Sequence, residues 1–496
     1  MLLKELSSYL LASQIHGDGN TNCRGISIDS RKIVPGDLFI CLPGHTVDGH
    51  DYAKQAAEKG AAALVVERWV DEVSLPQLKV KDSRLAMAVM GNVFFQKPSE
   101  RLKVIGVTGT NGKTTTTYLI EKILQDRGES VGLIGTIQRR FAGQTYPMSG
   151  TTPESLVLQQ YLHEMADGGA SYCVMEVSSH ALDQGRVKGT RFRTAIFTNL
   201  TQDHLDYHKT MEEYRSAKGL FFSRLGNQYP EDPNGRSYAV LNADDPASLY
   251  FAKQTAVETI TYGVKNEADI RATNISITAK GTSFHVDSFQ GSTDMTLRMV
   301  GKFNVYNALA AIAAGLLEGI PLAEIKTSLE AVKGVEGRVE AVDEGQSFAV
   351  IVDYAHTPDG LENVLKTVNE FAKGRVICVF GCGGDRDRTK RPIMGKIAAK
   401  YSQHVIVTSD NPRTENPDSI LVDIEHGLLE DGVDKSQYEL IVDRHKAIQK
   451  AIEMASHDDV VLIAGKGHET YQLIGTEVLD FDDRIVAKEA IRGLTK

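Results

Sequence analysis

The 496-residue sequence is short of several features that would have set its class at once. It has one tryptophan and five cysteines, the latter at 23, 41, 173, 378 and 382. Only Cys378 and Cys382 are close enough to suggest a zinc-binding pair, and no second pair accompanies them. Free buried thiols in a reducing compartment are the simpler expectation. There is no basic excess: 55 Lys and Arg stand against 65 Asp and Glu, a net charge of -10. Such a surface repels phosphate backbones, which argues against nucleic acid as a partner. No hydrophobic run is long enough to span a bilayer. ALAAIAAGLL (308–317) ends at Glu318 and reads as a buried helix. Lys4 and Glu5 interrupt any apolar core in MLLKELSSYL, so no secretory signal is expected. Low-complexity segments and short repeats are also missing. The expectation is a soluble, monomeric, cytoplasmic protein with no membrane partner.

What is present is an α/β pattern. The length exceeds one typical core, and 42% hydrophobic residues suffice for two or three. DLFICL (37–42) and AAALVV (61–66) are strand candidates in the first hundred residues. QKPSERLK (96–103) is polar, carries a proline and precedes the strong strand KVIGVT, which marks a boundary. YCVMEV (172–177), TAIFTN (194–199) and YAVLN (238–242) are further short buried-type runs with helices between them. They predict a mostly parallel sheet covered on both faces. From Ser347 a regular βα series follows (FAVIVD, RVICVF, HVIVTSD, YELIVD, DVVLIAG), as in a doubly wound, Rossmann-like domain. The glycine-containing stretch KGVEGRVE (333–340) separates the two series. The expected domains are 1–99, 100–335 and 336–496.

GVTGTNGKTTTT (106–117) joins a strand to a helix. The general phosphate-loop pattern asks for glycine where Val107 stands. The physical requirements are met without it. Gly109 and Gly112 permit close backbone approach, a helix N-terminus follows, Lys113 supplies a cation, and Thr114 a magnesium-side hydroxyl. Such a loop serves switches, motors, kinases and ligases alike. Two further strand ends carry chemistry-bearing residues. MEVSSH places Glu176 at the carboxyl edge of a strand, where ligands of open α/β sheets sit. TNLTQDHLDYH carries Asp203, His204, Asp206 and His208, which suit a divalent ion or, more plainly, a solvated loop.

GTNGKTTT, TTPE, MEVSSHAL, NLTQDHLDYH, YRSAKGLFF, GKFNVYNALAA, GRVE, VDYAHTPD, GDRDRTKRP, SDNPR and GKGHE occur in this order between residues 109 and 469. With the DSR segment at Ser30, the chain resembles the ATP-dependent Mur ligases of peptidoglycan synthesis over nearly its whole length. That resemblance implies a UDP-binding N-terminal domain, a central P-loop ATPase and a C-terminal Rossmann-like domain for the incoming amino acid. It also implies ATP and Mg2+, and the small-molecule substrates UDP-N-acetylmuramoyl-L-alanyl-D-glutamate and meso-diaminopimelate. The family loop, GTxGK[ST], needs no glycine at 107.

The resemblance assigns roles residue by residue. Gly109, Thr110, Asn111, Gly112, Lys113, Thr114 and Thr115 form the nucleotide loop, with Asn304, Arg338, Asp353 and His356 as further ATP contacts. Thr114, Glu176, His204 and Lys218 hold metal, Lys218 as a carbamate. Unmodified, it would bring a positive charge to a cation site, and its local sequence reads as a surface helix lysine. Lys113, Lys218, His204 and Glu176 are the catalytic set. Ser30 and His45 fall on the uridine side. Thr151, Thr152, Ser178, Gln184 and Arg186 fall on the muramoyl-peptide side. Arg386, Asp410, Asn411, Pro412, Arg413, Gly465 and Glu469 contact the amino acid. Arg413 suits the distal carboxylate that lysine lacks, and Glu469 the distal ammonium. A lysine-adding ligase, a folylpolyglutamate-type ligase and a P-loop ATPase without ligase activity stay open as alternatives.

Overall fold

Strand residues of the C-terminal part sort by parity. Ile377, Val379, Ile406, Val461 and Ile463 share one core with helices Arg444–Met454 and Asp483–Leu494. Cys378, Phe380, Val405, Val407 and Leu462 share the other with helices Pro358–Phe371, Lys390–Tyr401 and Pro417–Glu430. Successive strand side chains point to opposite faces, so uninterrupted apolar runs require cover on both. A computed structural model describes residues 1–44, 47–148, 150–227, 229–232, 235–278 and 281–494.

The chain divides into two compact units, 1–106 with 129–195 and 220–237, and 107–128 with 196–219 and 238–496. The first unit holds a five-stranded sheet of β1 (Gln14–His16), β2 (Gly25–Ser27), β3 (Asp37–Ile40), β4 (Ala63–Val66) and β5 (Gln77–Lys79), ordered β1-β5-β4-β3-β2. β6 (Lys103–Thr108) starts in this unit and ends in the second. β7 (Val131–Ile134), β8 (Gln138–Phe141), β9 (Gln144–Pro147) and β10 (Tyr172–Glu176) follow, ordered β10-β7-β8-β9. β10 pairs with β7 in parallel, whereas β7, β8 and β9 run antiparallel.

β11 (Phe192–Phe197) also has residues in both units. In the second unit β12 (Tyr238–Asn242), β13 (Glu258–Gly263), β14 (Ile270–Thr278), β15 (Gly281–Ser288) and β16 (Gly291–Leu297) lie in sequence order. The pairs from β12 to β14 are parallel, as expected of a mostly parallel sheet, and those from β14 to β16 add an antiparallel edge. A six-stranded sheet completes the unit, with β17 (Glu340–Ala341), β18 (Ala349–Asp353), β19 (Val376–Phe380), β20 (His404–Val407), β21 (Tyr438–Leu440) and β22 (Val460–Ala464). Its order is β17-β18-β22-β19-β20-β21, parallel except for β17. The hairpin β23 (Tyr471–Ile474) and β24 (Glu477–Asp480) follows.

The run 308–317 lies in helix Lys302–Leu317, buried from Asn307 to Leu316, and packs on helix Lys113–Asp126. Among the described residues no helix is long and apolar enough to cross a membrane.

Candidate active site

β6 ends at Thr108 and the helix begins at Lys113, so four residues must reverse the chain. Two of them have no room for a side chain. A Cβ on Gly109 would lie 1.8 Å from Thr198 Oγ1, and one on Gly112 would lie 2.4 Å from Asn307 Oδ1. Gly112 also has φ +86°, the left-handed region that glycine enters freely. The Thr110 N–H donates to Asn199 O (2.8 Å) and the Asn111 N–H to Asn199 Oδ1 (2.9 Å). The Asn111 amide donates to Asp359 Oδ2 at 2.7 Å, tying the loop to the start of helix Pro358–Phe371. Val107 is fully buried as the last part of β6, which accounts for its departure from the general pattern.

Lys113 Nζ donates to Gly109 O (2.9 Å) and Thr110 O (2.8 Å). Lys218 reaches the same Gly109 carbonyl from helix Met211–Ser223, also at 2.9 Å. Its side chain is no surface group: the residue is 1% exposed, with Nζ 4.5 Å from the Tyr214 ring centre. Burial drives the Lys218 ammonium well below its ordinary pKa, and the positive Lys113 adds to this, against a smaller pull from Asp203. His204 follows with a left-handed φ of 56° and Nε2 3.3 Å from Asp203 Oδ2. Asp203 is half-buried, which raises its carboxyl, yet His204, His356 and Lys390 hold it below the usual range.

Arg338 donates to Thr114 Oγ1 (3.2 Å) and lies 4.7 Å over the Tyr354 ring. Asp353 accepts from the Val339 N–H at 2.7 Å; burial raises it to about 6 against the pull of Arg338. His356 Nδ1 lies 2.9 Å from Tyr354 O, and burial with Lys390 nearby lowers the ring to about 4. Asn304 accepts from Asn307 Nδ2 at 3.2 Å. Asn111, Gly112, Thr115, Asn307, Arg338 and Asp353 line part of one cavity of about 570 Å³. The sequence reading missed residues that complete it. Asp244 accepts from the N–H groups of Val264, Lys265 and Asn266 and from Tyr306 Oη, and Asn307 and Asp359 border the loop itself. The motifs NALAA and TPD contain the last two; what marked them was a fixed polar residue beside a glycine or a helix start.

The residues expected to contact the amino acid lie beyond the carboxyl ends of β19, β20 and β22, where ligands of open parallel sheets bind. Arg413 adopts φ 52° and is pinned there: its N–H donates to Leu473 O (3.1 Å) and its carbonyl accepts from the Gly475 N–H (2.7 Å). Its guanidinium donates to Gly384 O at 2.8 Å. Pro412 is buried beside Gly384, where a Cβ would lie 1.9 Å from the proline carbonyl oxygen. Asp410 is buried; Oδ1 accepts from the Asn411 N–H, while Oδ2 has no hydrogen-bond partner among the described residues. A Cβ on Gly465 would lie 2.7 Å from that Oδ2. Glu469 Oε2 accepts from Asn411 Nδ2 (2.8 Å) and from buried Lys466 (3.1 Å). Arg386 is exposed at the edge of this group, bonded to Asp385 O.

In the first unit Glu176 is fully buried, with its carboxylate accepting from the Thr136 N–H and hydroxyl, both at 2.9 Å. Thr151 is 3.0 Å from the same Thr136 hydroxyl, and Thr152 donates to Glu176 O at 2.9 Å. Ser178 caps helix Ser179–Asp183. Arg186 donates to Thr152 O and to Gln184 Oε1, and pairs with Glu154 at 3.2 Å. The five residues expected to contact the muramoyl peptide therefore form one connected group with Glu176. Ser30 lies in a separate cavity of about 570 Å³ with Phe39, Leu42, Tyr52 and Gln55, donating to Gln55 Oε1 at 2.6 Å. His45 lies outside the described residues.

Cys378 and Cys382 are buried and free, with burial pushing both thiols up to about 12. Among the described residues no group of three or more His, Cys, Asp and Glu is placed to hold a metal ion. Of the four residues expected to hold metal, Thr114, His204 and Lys218 belong to the second unit and Glu176 to the first; Lys218 becomes a donor only on losing its positive charge.

Three segments match Mur ligase domains: residues 22–105 the Mur ligase family catalytic domain, 107–315 the middle domain, and 337–467 the glutamate ligase domain. The UDP-N-acetylmuramoyl-L-alanyl-D-glutamate–2,6-diaminopimelate ligase of Halalkalibacterium halodurans is 54% identical over 491 residues, 99% of this chain and 98% of that one. The ligase of the same name from Bacillus cereus is 53% identical over 474 residues, 96% and 95% of the two chains. A solved structure of a ligase with this name has a TM-score of 0.70 at 33% identity, covering 100% of this chain and 99% of its own. With identity at that level along both whole lengths, and with the loop and strand-end clusters in place, this chain belongs to the Mur ligase family.

Proposed function

We propose that the chain is an ATP-dependent ligase joining meso-2,6-diaminopimelate to the D-glutamate γ-carboxylate of UDP-N-acetylmuramoyl-L-alanyl-D-glutamate. ADP and phosphate are released, and the product serves peptidoglycan synthesis. The observation that carries this reading is the name shared by relatives more than 50% identical along nearly their entire length.

The reaction brings together two anions, the γ-carboxylate and the γ-phosphate of ATP, so catalysis consists of charge neutralisation and positioning. The carboxylate oxygen attacks the γ-phosphorus and ADP leaves, giving an acyl phosphate. The amine of diaminopimelate attacks its carbonyl carbon, loses a proton, and phosphate departs. Gly109 to Thr115 cradle the phosphates, with Lys113 exchanging its two carbonyl partners for phosphate oxygens. Arg338, Asn304, Asp353 and His356 border the nucleotide cavity. Thr151, Thr152, Ser178, Gln184 and Arg186 take the muramoyl peptide, and Ser30 the uridine side.

Thr114, His204 and the carbamate of Lys218 would hold magnesium, with Glu176 kept as a further ligand on the resemblance alone. When bound, the ion offsets phosphate charge. The setting of Lys218 supports the modification. Burial beside Lys113 favours the neutral amine, whose nitrogen attacks CO2 and releases a proton, giving an anionic oxygen donor. Asp410, Asn411, Pro412, Arg413, Gly465, Glu469 and Arg386 receive diaminopimelate. Arg413 pairs with the distal carboxylate, and left unpaired it disfavours lysine.

Phosphate release, measured while each substrate is omitted in turn and with diaminopimelate and lysine side by side, tests this. Release that needs all three substrates and prefers diaminopimelate is expected. Release from ATP alone, or preference for lysine, overturns it.

A further inference from the structure

We infer that Lys466 is a positioning residue for the incoming amino acid, holding Asn411 and Glu469 as one preset acceptor. The inference rests on the amino-acid role proposed above for those two residues and extends it to a side chain with no assigned part.

Lys466 is 0% exposed, two residues beyond the end of β22. Its Nζ lies 3.1 Å from Glu469 Oε2 and 3.2 Å from Asn411 Oδ1, and 5.4 Å from the Tyr471 ring centre. Asn411 Oδ1 also accepts from the Leu473 N–H at 2.9 Å. With two donors on its oxygen, the amide must turn Nδ2 toward Glu469, where it donates at 2.8 Å. The three side chains thus close a ring, in which the ammonium fixes which way the amide faces and which oxygen of Glu469 is occupied.

Lys466 is the cation in direct contact with Glu469; Arg413, which shares the neighbouring Tyr471 with it, is bonded to Gly384 O. Asp410, Tyr354 and Tyr471 face Glu469 from neighbouring segments, and Tyr354 Oη is 3.4 Å from Oε1. Burial and Asp410 push the Glu469 carboxyl upward, while Lys466 and Asn411 draw it back. Arg444, also buried and influenced by Glu469, is committed to Asp483 by two contacts of 2.7 Å. Removing Lys466 would leave buried Asp410 and half-buried Glu469 near each other without the cation that touches Glu469, which favours protonation of one. It would also free the Asn411 amide to turn.

The test uses the full chain with all three substrates. In Lys466→Met, KM for diaminopimelate rises about tenfold or more, as for loss of one charge-assisted hydrogen-bond set, while KM for ATP stays within about twofold. The acid limb of kcat/KM for diaminopimelate moves to higher pH, a change that a merely structural role would not produce. Lys466→Met/Glu469→Gln removes both charges, so it folds where the single variant does not. It keeps the raised KM but loses the shifted limb. A folded single or double variant with wild-type KM for diaminopimelate overturns the inference, as does an equal rise for ATP. Wild-type turnover reports separately on the proposed function. Were wild type to use lysine instead, that reading would fall and the same ratios would be read with lysine.

Discussion

Lys218 and Lys466 are both almost wholly buried, and their surroundings differ in one respect. Lys466 faces a carboxylate 3.1 Å away. Lys218 faces a carbonyl and an aromatic ring, with Lys113 sharing that carbonyl. A buried ammonium is tolerated when it is paired and is driven toward neutrality when it is not. The first arrangement suits a fixed strut; the second favours a neutral amine, as the proposed carbamate requires. Burial of lysine therefore has no single meaning in this molecule, and the partner decides it.

The sharpest way to break the contrast is Lys218→Ala. Without an anionic donor at that position, turnover falls to below about one hundredth, by analogy with lost metal-site support. A small carboxylic acid added to the assay restores part of it, because it can occupy the vacated space as a carboxylate. Full activity of the variant without additive would show that no carbamate is needed.

Arg413→Ala comes next and examines the pocket that Lys466 braces. Loss of one charge-assisted pair, about 1.5–3 kcal/mol, raises KM for diaminopimelate about tenfold to a hundredfold. KM for ATP should hardly move, and the preference over lysine should shrink. Equal losses for both substrates would remove the selector role.

A third substitution separates backbone strain from crowding. Gly112 and Gly128 both have positive φ, +86° and +89°, but a Cβ at Gly112 meets Asn307 Oδ1 at 2.4 Å whereas one at Gly128 meets nothing within 4 Å. Gly128→Ala should lose about 1–2 kcal/mol from conformation alone, with ATP affinity intact. Gly112→Ala should lose more in thermal unfolding and bind ATP more weakly. Equal effects at the two sites would mean that Asn307 moves aside freely.

The difference between near and distant partners also explains what could be read from the sequence. The nucleotide loop was legible because strand, glycines, lysine and helix lie within about fifteen residues and each requirement is local. Five strands of the six-stranded sheet were legible as short apolar runs; β17, two residues long and not buried, was not. β14 to β16 were not, because β14 is buried only at Ile270 and Ala272 and offers no such run. The Lys466 ring was missed for a different reason. Its lysine and asparagine are 55 residues apart, and Asn111 and Asp359 are 248 apart, distances at which no periodicity signals contact. The surface reading of Lys218 failed likewise, since what buries that helix face is far away in sequence.

His468 offers the mildest test, because it stands between Lys466 and Glu469 yet follows the pattern of Lys218. Its Nδ1 is buried without a protein partner, and burial together with Arg338 lowers the ring from 6.5 to about 3. Between those values the unfolded chain binds a proton that the folded chain refuses, so stability is lost as pH falls from about 6.5 toward 3. Asp353 works the other way: raised from 3.8 to about 6, it takes up a proton in the folded state first and gains stability on acidification. The two partly offset in the wild-type protein. His468→Gln removes the first contribution, so between pH 6.5 and 5 the thermal midpoint of the variant should fall less steeply than that of wild type. Parallel curves would mean that the imidazole finds a counter-charge on protonation, placing His468 with Lys466 rather than with Lys218.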